Sequence, residues 1–388
     1  MEPKIRFKGF EGEWKTQSLS DHNFSIIAGG DVDKKLLQNN GKYPVIANAL
    51  TNDGILGYYM DSFRVNGPAV TVTGRGDIGV AIARHYSFTP VVRLLSIKSN
   101  HNVDFLANAI NCYKAAKEST GVPQLTTAKL QEYRIPIPKE MDEENAIASY
   151  FTPLDSQISA STSRLASLKQ MKAASLQAMF PQEGETVPKI RFKGFEGEWK
   201  KVKLNSFAKR VTRKNSHLES TLALTIASAH GLVSQIDYFN NLVVGSNIRN
   251  YYLLKRGEFA YNKSYSNGYP FGSVKRLDRY EQGILSTLYI TFSIDNSISS
   301  DYLTHFFDTN LWHKEVAERA AEGARNHGLL NIGANDFLDI NIWKPESKAE
   351  QQAIASYFSS LDRQISLQSQ RLEKLKQIKS ACLDKMFV

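Results

Sequence analysis

The thirteen residues PKIRFKGFEGEWK occur twice, at positions 3–15 and 188–200, without a single difference. A second stretch, 146–180, returns as 353–387 with 21 of 35 positions identical, opening on AIASYF and closing on Met-Phe both times. Repetition at such a period means that a fold is assembled from copies of one unit, and it must be read before any local pattern. The offset grows from 185 to 207, so the second copy is 22 residues longer between its repeated ends. Those intervening blocks, 16–138 and 201–345, share only a faint echo: Gly121, Leu125, Ile135 and Pro138 correspond to Gly328, Ile332, Ile342 and Pro345. The chain reads as flank, variable block and helix, twice over. The repeated parts are expected to meet the same kind of partner twice and the blocks to meet different things, although duplication followed by drift would leave the same pattern.

The repeated helix has an apolar seam. Ile147, Phe151, Leu154, Ile158, Leu165 and Leu168 are spaced close to the heptad period, and Ile354, Phe358, Leu361, Ile365, Leu372 and Leu375 repeat them. A run of about 38 residues is about 57 Å long at 1.5 Å per residue. A lone helix with such a stripe must bury it, and the obvious partner is the other copy. An antiparallel pair would carry one block at each end. Pro153, where the second copy has Ser360, should kink the first helix or mark a restart capped by Thr152.

The blocks read as mixed α/β. Strands are expected at 69–73 and 79–83 around the turn Gly74-Arg75-Gly76-Asp77, and at 251–254, 258–261 and 286–292, with a helix over 301–321 and a linker near 184–188. The net charge of +9 favours a polyanionic partner. Most of it lies in the blocks: 12 Lys/Arg against 9 Asp/Glu in 16–138, and 17 against 13 in 201–345. Two distant cysteines, Cys112 and Cys382, disfavour a disulfide framework and a thiolate zinc site. The opening MEPKIRFKGF has no apolar signal segment, and no stretch reaches the eighteen or so apolar residues of a membrane span. A cytoplasmic protein with no membrane partner is expected.

Catalytic signatures are missing. There is no phosphate loop ending in Gly-Lys-Ser/Thr, no His pair at metal-helix spacing, and no Asn/Asp-Pro-Pro-aromatic motif of an adenine methyltransferase. The nuclease-like Glu-x-Lys occurs as Glu13-Trp14-Lys15 and Glu198-Trp199-Lys200, both in the flanks and without an upstream Pro-Asp. Their tryptophans are expected to anchor each flank by packing. No metal or cofactor site is expected.

Three groups suit nucleic-acid contact. Arg75 between Gly74 and Gly76 is placed to reach a guanine edge or a phosphate, or else decorates an ordinary hairpin turn. Lys263, Tyr265 and Asn267 put a cation, a ring and an amide on one loop, which would otherwise be a plain polar surface. Arg319, Arg325 and Asn326 flank a glycine-containing helix end that could face a phosphate.

The pattern as a whole resembles the specificity subunit of a type I restriction–modification system. The residues that carry the resemblance are IPIPKEMDEENAIASYFTPLDSQIS at 135–159 and INIWKPESKAEQQAIASYFSSLDRQIS at 340–366, with Gly-Glu-Trp at 12–14 and 197–199. They resemble the family's Ile-Pro-rich strand, its Glu-Gln-x-x-Ile-Ala helix start and its Leu-Asp-x-x-Ile. Glu350-Gln351 and Ile354-Ala355 match directly, whereas the first copy departs with Glu144-Asn145. The resemblance implies an α+β protein with a pseudo-twofold internal repeat: two globular mixed α/β target recognition domains separated by two long antiparallel coiled-coil helices. Its divisions would be 1–140 for the first recognition domain, 141–180 for the first spacer helix, 181–187 for a linker, 188–347 for the second domain and 348–388 for the second helix. It further implies a non-catalytic reader of an asymmetric bipartite site on double-stranded DNA, docking two modification subunits and two restriction subunits. S-adenosylmethionine, ATP and Mg would sit on those partners only. The rival reading is a free-standing DNA-binding or coiled-coil scaffold protein without methyltransferase partners.

Overall fold

The computed structural model describes residues 2–113, 124–228, 230–241, 247–320 and 330–387. The chain divides into two compact units: Met1–Arg164 with Gln368–Val388, and Leu165–Leu367. The units cut across the repeats, because the far end of each repeated helix packs with the block of the other copy.

In the first unit, β1 (Lys15–Ser18) runs antiparallel to β9 (Arg134–Ile137), with Lys15 opposite Ile137. Between them lie β2 (Ser25–Ala28), β3 (Tyr43–Ile46), β4 (Ile55–Tyr59), β5 (Ala69–Thr73), β6 (Ala81–Arg84), β7 (Thr89–Pro90) and β8 (Leu94–Lys98). An antiparallel sheet has the order β2-β8-β5-β6, and a smaller one has the order β4-β3-β7. The run AVTVT of β5 is buried throughout, as a central strand covered on both faces must be. Helix α1 (Val103–Cys112) packs on β5 and β6, its first amides accepted by the Asn102 side chain. The short α2 (Thr127–Gln131) is capped by Thr126 and leads into β9.

Helix α3 (Met141–Ala178) starts in this unit and passes through Pro153 without a break. The restart expected there is not found. Thr152 does not cap: its hydroxyl donates back to the Ala148 carbonyl at 2.9 Å. The carbonyl that loses its partner to the proline ring is that of Ser149, an exposed residue that water can serve.

The second unit repeats the plan. Strand β10 (Lys200–Lys203) pairs with β19 (Asn341–Lys344), Lys200 opposite Lys344, which is the register of β1 and β9 moved by the two repeat offsets. Its block holds β11 (Ala208–Arg210), β12 (Leu224–Ala227), β13 (Gly231–Ser234), α4 (Gln235–Phe239), β14 (Tyr252–Lys255), β15 (Phe259–Asn262), β16 (Ser273–Arg276), β17 (Gln282–Leu285) and β18 (Ile290–Ile294), followed by α5 (Ser300–Phe306), α6 (His313–Arg319) and α7 (Ala334–Leu338). The sheet order β11-β18-β15-β16 copies β2-β8-β5-β6. Two blocks with only a faint sequence echo therefore each build a central sheet of the same order. The helix expected over 301–321 is two helices. Trp312, fully buried, interrupts it with its indole N–H on the Phe307 carbonyl, while the Thr309 hydroxyl donates to the Phe306 carbonyl. Residues 286–289 form a turn, so β18 starts later than expected.

The second long helix, α8 (Lys348–Met386), runs antiparallel to α3 within each unit. In the second unit, Lys172 pairs with Asp362 and Ser175 with Tyr357. In the first, Asp155 pairs with Lys379 and Tyr150 with Cys382, the same positions one repeat apart. Every seam residue named above is buried or half-buried.

The repeated flank has a tertiary task. Two nitrogens of Arg6 hold both oxygens of buried Glu143 at 2.7 Å, and a third donates to the Gly12 carbonyl at 2.6 Å. Arg191 grips Glu350 at 2.6 and 2.8 Å and the Gly197 carbonyl at 2.6 Å. Each flank thus clamps the first turn of a long helix. The Ile5 amide bonds the Lys385 carbonyl and the Ile190 amide that of Ala178, so each flank also holds the end of the other helix. Arg6→Ala should cost about 2 kcal/mol, because it strands a buried carboxylate that, among the described residues, keeps only the Trp14 indole N–H. Arg6→Lys should recover little of this, since an ammonium cannot form the two-pronged contact. Thermal unfolding of the three proteins checks both; an R6A protein as stable as the parent would remove the clamp from the account.

Candidate nucleic-acid interface

Two of the three groups singled out in the sequence fall on equivalent hairpins, β5–β6 and β15–β16. After β5, the chain leaves the sheet at Gly74. A side chain there would begin 2.4 Å from the Arg93 carbonyl oxygen, so glycine is required. The Gly74 carbonyl accepts from the Leu125 amide, and the Gly74 amide donates to the Arg93 carbonyl at 3.0 Å. Asn48, half-buried, braces the same turn. Its side-chain oxygen accepts from the amides of Gly74 and Arg75 (2.7 and 3.3 Å), and its nitrogen donates to the Arg75 carbonyl (2.5 Å). Gly76 has φ +75, and the Arg75 side chain is exposed.

Beside this turn stands Arg93, also exposed, with φ +74. A left-handed backbone costs a residue with a Cβ about 1–2 kcal/mol, and such strain gathers at functional sites. Among the described residues neither the Arg75 nor the Arg93 guanidinium forms an ion pair or a hydrogen bond. Sequence reasoning missed Asn48, which lies in no turn motif, and Arg93, which interrupts the apolar run from Val91 to Leu95 but shows its left-handed backbone only in the fold.

In the second unit, the residue that follows β15 is Lys263, the topological counterpart of Gly74. Its carbonyl accepts from the Leu330 amide, as that of Gly74 does from Leu125. Its ammonium reaches back to the Ile332 carbonyl at 3.5 Å. The Asn262 side chain accepts from the Ser264 amide, Ser266 pairs with Tyr269, and the Ser228 hydroxyl ties Ser266 to Ser273. This fixed base presents Tyr265, 59% exposed, and Asn267 to solvent.

Arg319 is not placed for a phosphate. It is turned inward on Glu315 (2.8 Å) and Asp339 (3.4 Å), in a network that also holds Lys203 and Asn341. Arg325 and Asn326 lie outside the described residues. His305, Asp308 and Asp362 gather as metal ligands might, but Lys172 already bridges the two carboxylates at 2.9 and 2.7 Å and Lys275 takes the other Asp308 oxygen at 3.0 Å. Burial opposes the Asp308 charge, yet the two ammoniums outweigh it and hold the carboxyl well below its ordinary range. An internal ion network occupies the place a cation would take. No helix among the described residues is long and apolar enough to cross a membrane.

A two-unit α+β chain that sets unlike hairpins, one presenting Arg75 and the other Tyr265 and Asn267, on one repeated sheet order has the build of a DNA-specificity protein. The model of the type I restriction modification DNA specificity domain matches residues 11–170. A protein described as a type I specificity subunit of Mycoplasma pneumoniae is 33% identical over 147 residues, which are 37% of this chain and 40% of that protein. A second from the same organism is 29% identical over 155 residues, 39% and 46% of the two chains. A third, a C-terminal piece of such a subunit, is 34% identical over 98 residues, 25% of this chain and 67% of that one. The chain matches less than half the length of the first two. The crystal structure of the S subunit from M. genitalium superposes with a TM-score of 0.68 at 15% identity, covering 100% of this chain and 99% of that one, a likeness of fold. The chain belongs to the type I restriction–modification specificity subunits.

Proposed function

We propose that the chain reads an asymmetric, two-part site on double-stranded DNA, one half with each block, and carries no catalytic centre of its own. The repeated helices and flanks serve two modification subunits, which hold S-adenosylmethionine and methylate adenine in a base taken out of the stack. Two restriction subunits complete the assembly and supply ATP- and Mg-dependent cleavage. The observation that carries this reading is that the blocks share one sheet order and one hairpin anchorage while their sequences have diverged. In a scaffold indifferent to DNA the unlike loops would be the product of drift alone and would have no task.

Exchange of 201–345 for the corresponding block of another family member is the test. Mapping of methylated sites in a host that supplies the modification subunit should show one half of the recognised sequence replaced and the other untouched. A change in both halves would overturn the division of labour.

A further inference from the structure

We propose that Arg75 and Arg93 form one reading element in the first block, Arg75 for a guanine edge and Arg93 for the phosphate beside it, with Asn48 as the residue that positions Arg75. This rests on the DNA-reading role above. The backbone around Arg75 is held by three hydrogen bonds to Asn48, so little order remains to be imposed when the side chain meets its target. The turn beyond it is open: nothing lies within 4 Å of where a Gly76 side chain would begin. A narrow, braced tip carrying one guanidinium suits a groove, where arginine matches the two acceptors of guanine.

Arg93 sits at the base of the same turn, its carbonyl on the Gly74 amide. Glycine would relieve its left-handed backbone, and among the described residues the only hydrogen bond Arg93 makes is through its carbonyl. The exposed guanidinium is left open to an external anion by the described residues. A cation beside a base-reading tip lies where the sugar–phosphate chain borders the groove, and such contacts set register rather than sequence.

The test uses the full chain assembled with its modification subunits and a duplex bearing the site mapped in cells, across a salt series. R75A should lose about 5- to 150-fold of its discrimination at one guanine of the first half-site, with the salt dependence little changed. R93A and R93G should weaken binding to matched and mismatched duplexes alike and lower the salt slope by about one. The glycine variant, freed of backbone strain, separates the guanidinium from the fold. N48A should repeat the selectivity loss of R75A without the slope change of R93A. Selectivity kept by R75A, or an unchanged slope in R93G, would overturn the element while leaving the DNA-reading role intact. A parent complex with no sequence preference would sink both.

Discussion

Phe180→Ala is expected to cost about 3–5 kcal/mol and to loosen the second block, although Phe180 closes the first repeat. Its ring is fully buried among Trp199 (centroids 5.9 Å apart), Tyr302 (5.7 Å), Phe358 (6.0 Å) and Phe306 (6.3 Å), all in the unit Leu165–Leu367. Truncation there leaves a cavity that four aromatic rings cannot close by small shifts. The counterpart Phe387 fills the first unit beside Trp14 (5.7 Å) and Phe105 (5.4 Å), so Phe387→Ala should loosen 16–138 instead. Hydrogen exchange resolved by peptide, on the full chain, distinguishes the two. If F180A released amides of 16–138 while those of 201–345 stayed protected, the assignment of helix ends to units would be wrong.

Both long helices and the central strand β5 were legible, because a heptad seam and a short β-branched run bounded by glycine are local signals. Reading by repeat could not place the helix ends. Met179-Phe180 and Met386-Phe387 are the same dipeptide in the same setting, and nothing local tells which block each one enters. The flank was legible as repeated but not as a clamp, since Arg6 and Glu143 are 137 residues apart and neither is unusual alone. Most remaining strands are four residues long, too short for a period of two to stand out. Of the groups proposed to meet DNA, the glycine-flanked Arg75 is legible in the sequence, whereas Arg93 depends on a backbone angle that the sequence does not show. Glu315 pairs with Arg319 one turn away on the same helix and was legible as its partner, whereas Asp339 meets it only through the fold.

A fragment ending at Phe180 is expected to fold only as a dimer. The first unit takes Gln368–Val388 into its own core, with Met386 and Phe387 beneath Trp14 and the Ile5 amide on Lys385. Residues 1–180 lack that segment but carry its near-copy at their own end. Of the groups that close the unit, Lys379 has its equivalent in Lys172, Met386 in Met179 and Phe387 in Phe180, while Cys382 becomes Ser175. Ser175 already bonds a tyrosine hydroxyl in the second unit, at 2.9 Å to Tyr357, so the exchange keeps a partner for Tyr150. Two such fragments can each lend their helix end to the other, closing with twofold symmetry what the full chain closes with one molecule. Within one fragment the end cannot return, because α3 is a single helix from Met141 to Ala178. Sedimentation of residues 1–180 should show a dimer whose unfolding midpoint rises with concentration. Phe180→Ala in the fragment should yield unfolded monomer, and with modification subunits the parent dimer should methylate a palindrome of the first half-site. A stable, folded monomer of residues 1–180 would mean that the first unit does not need the borrowed helix end.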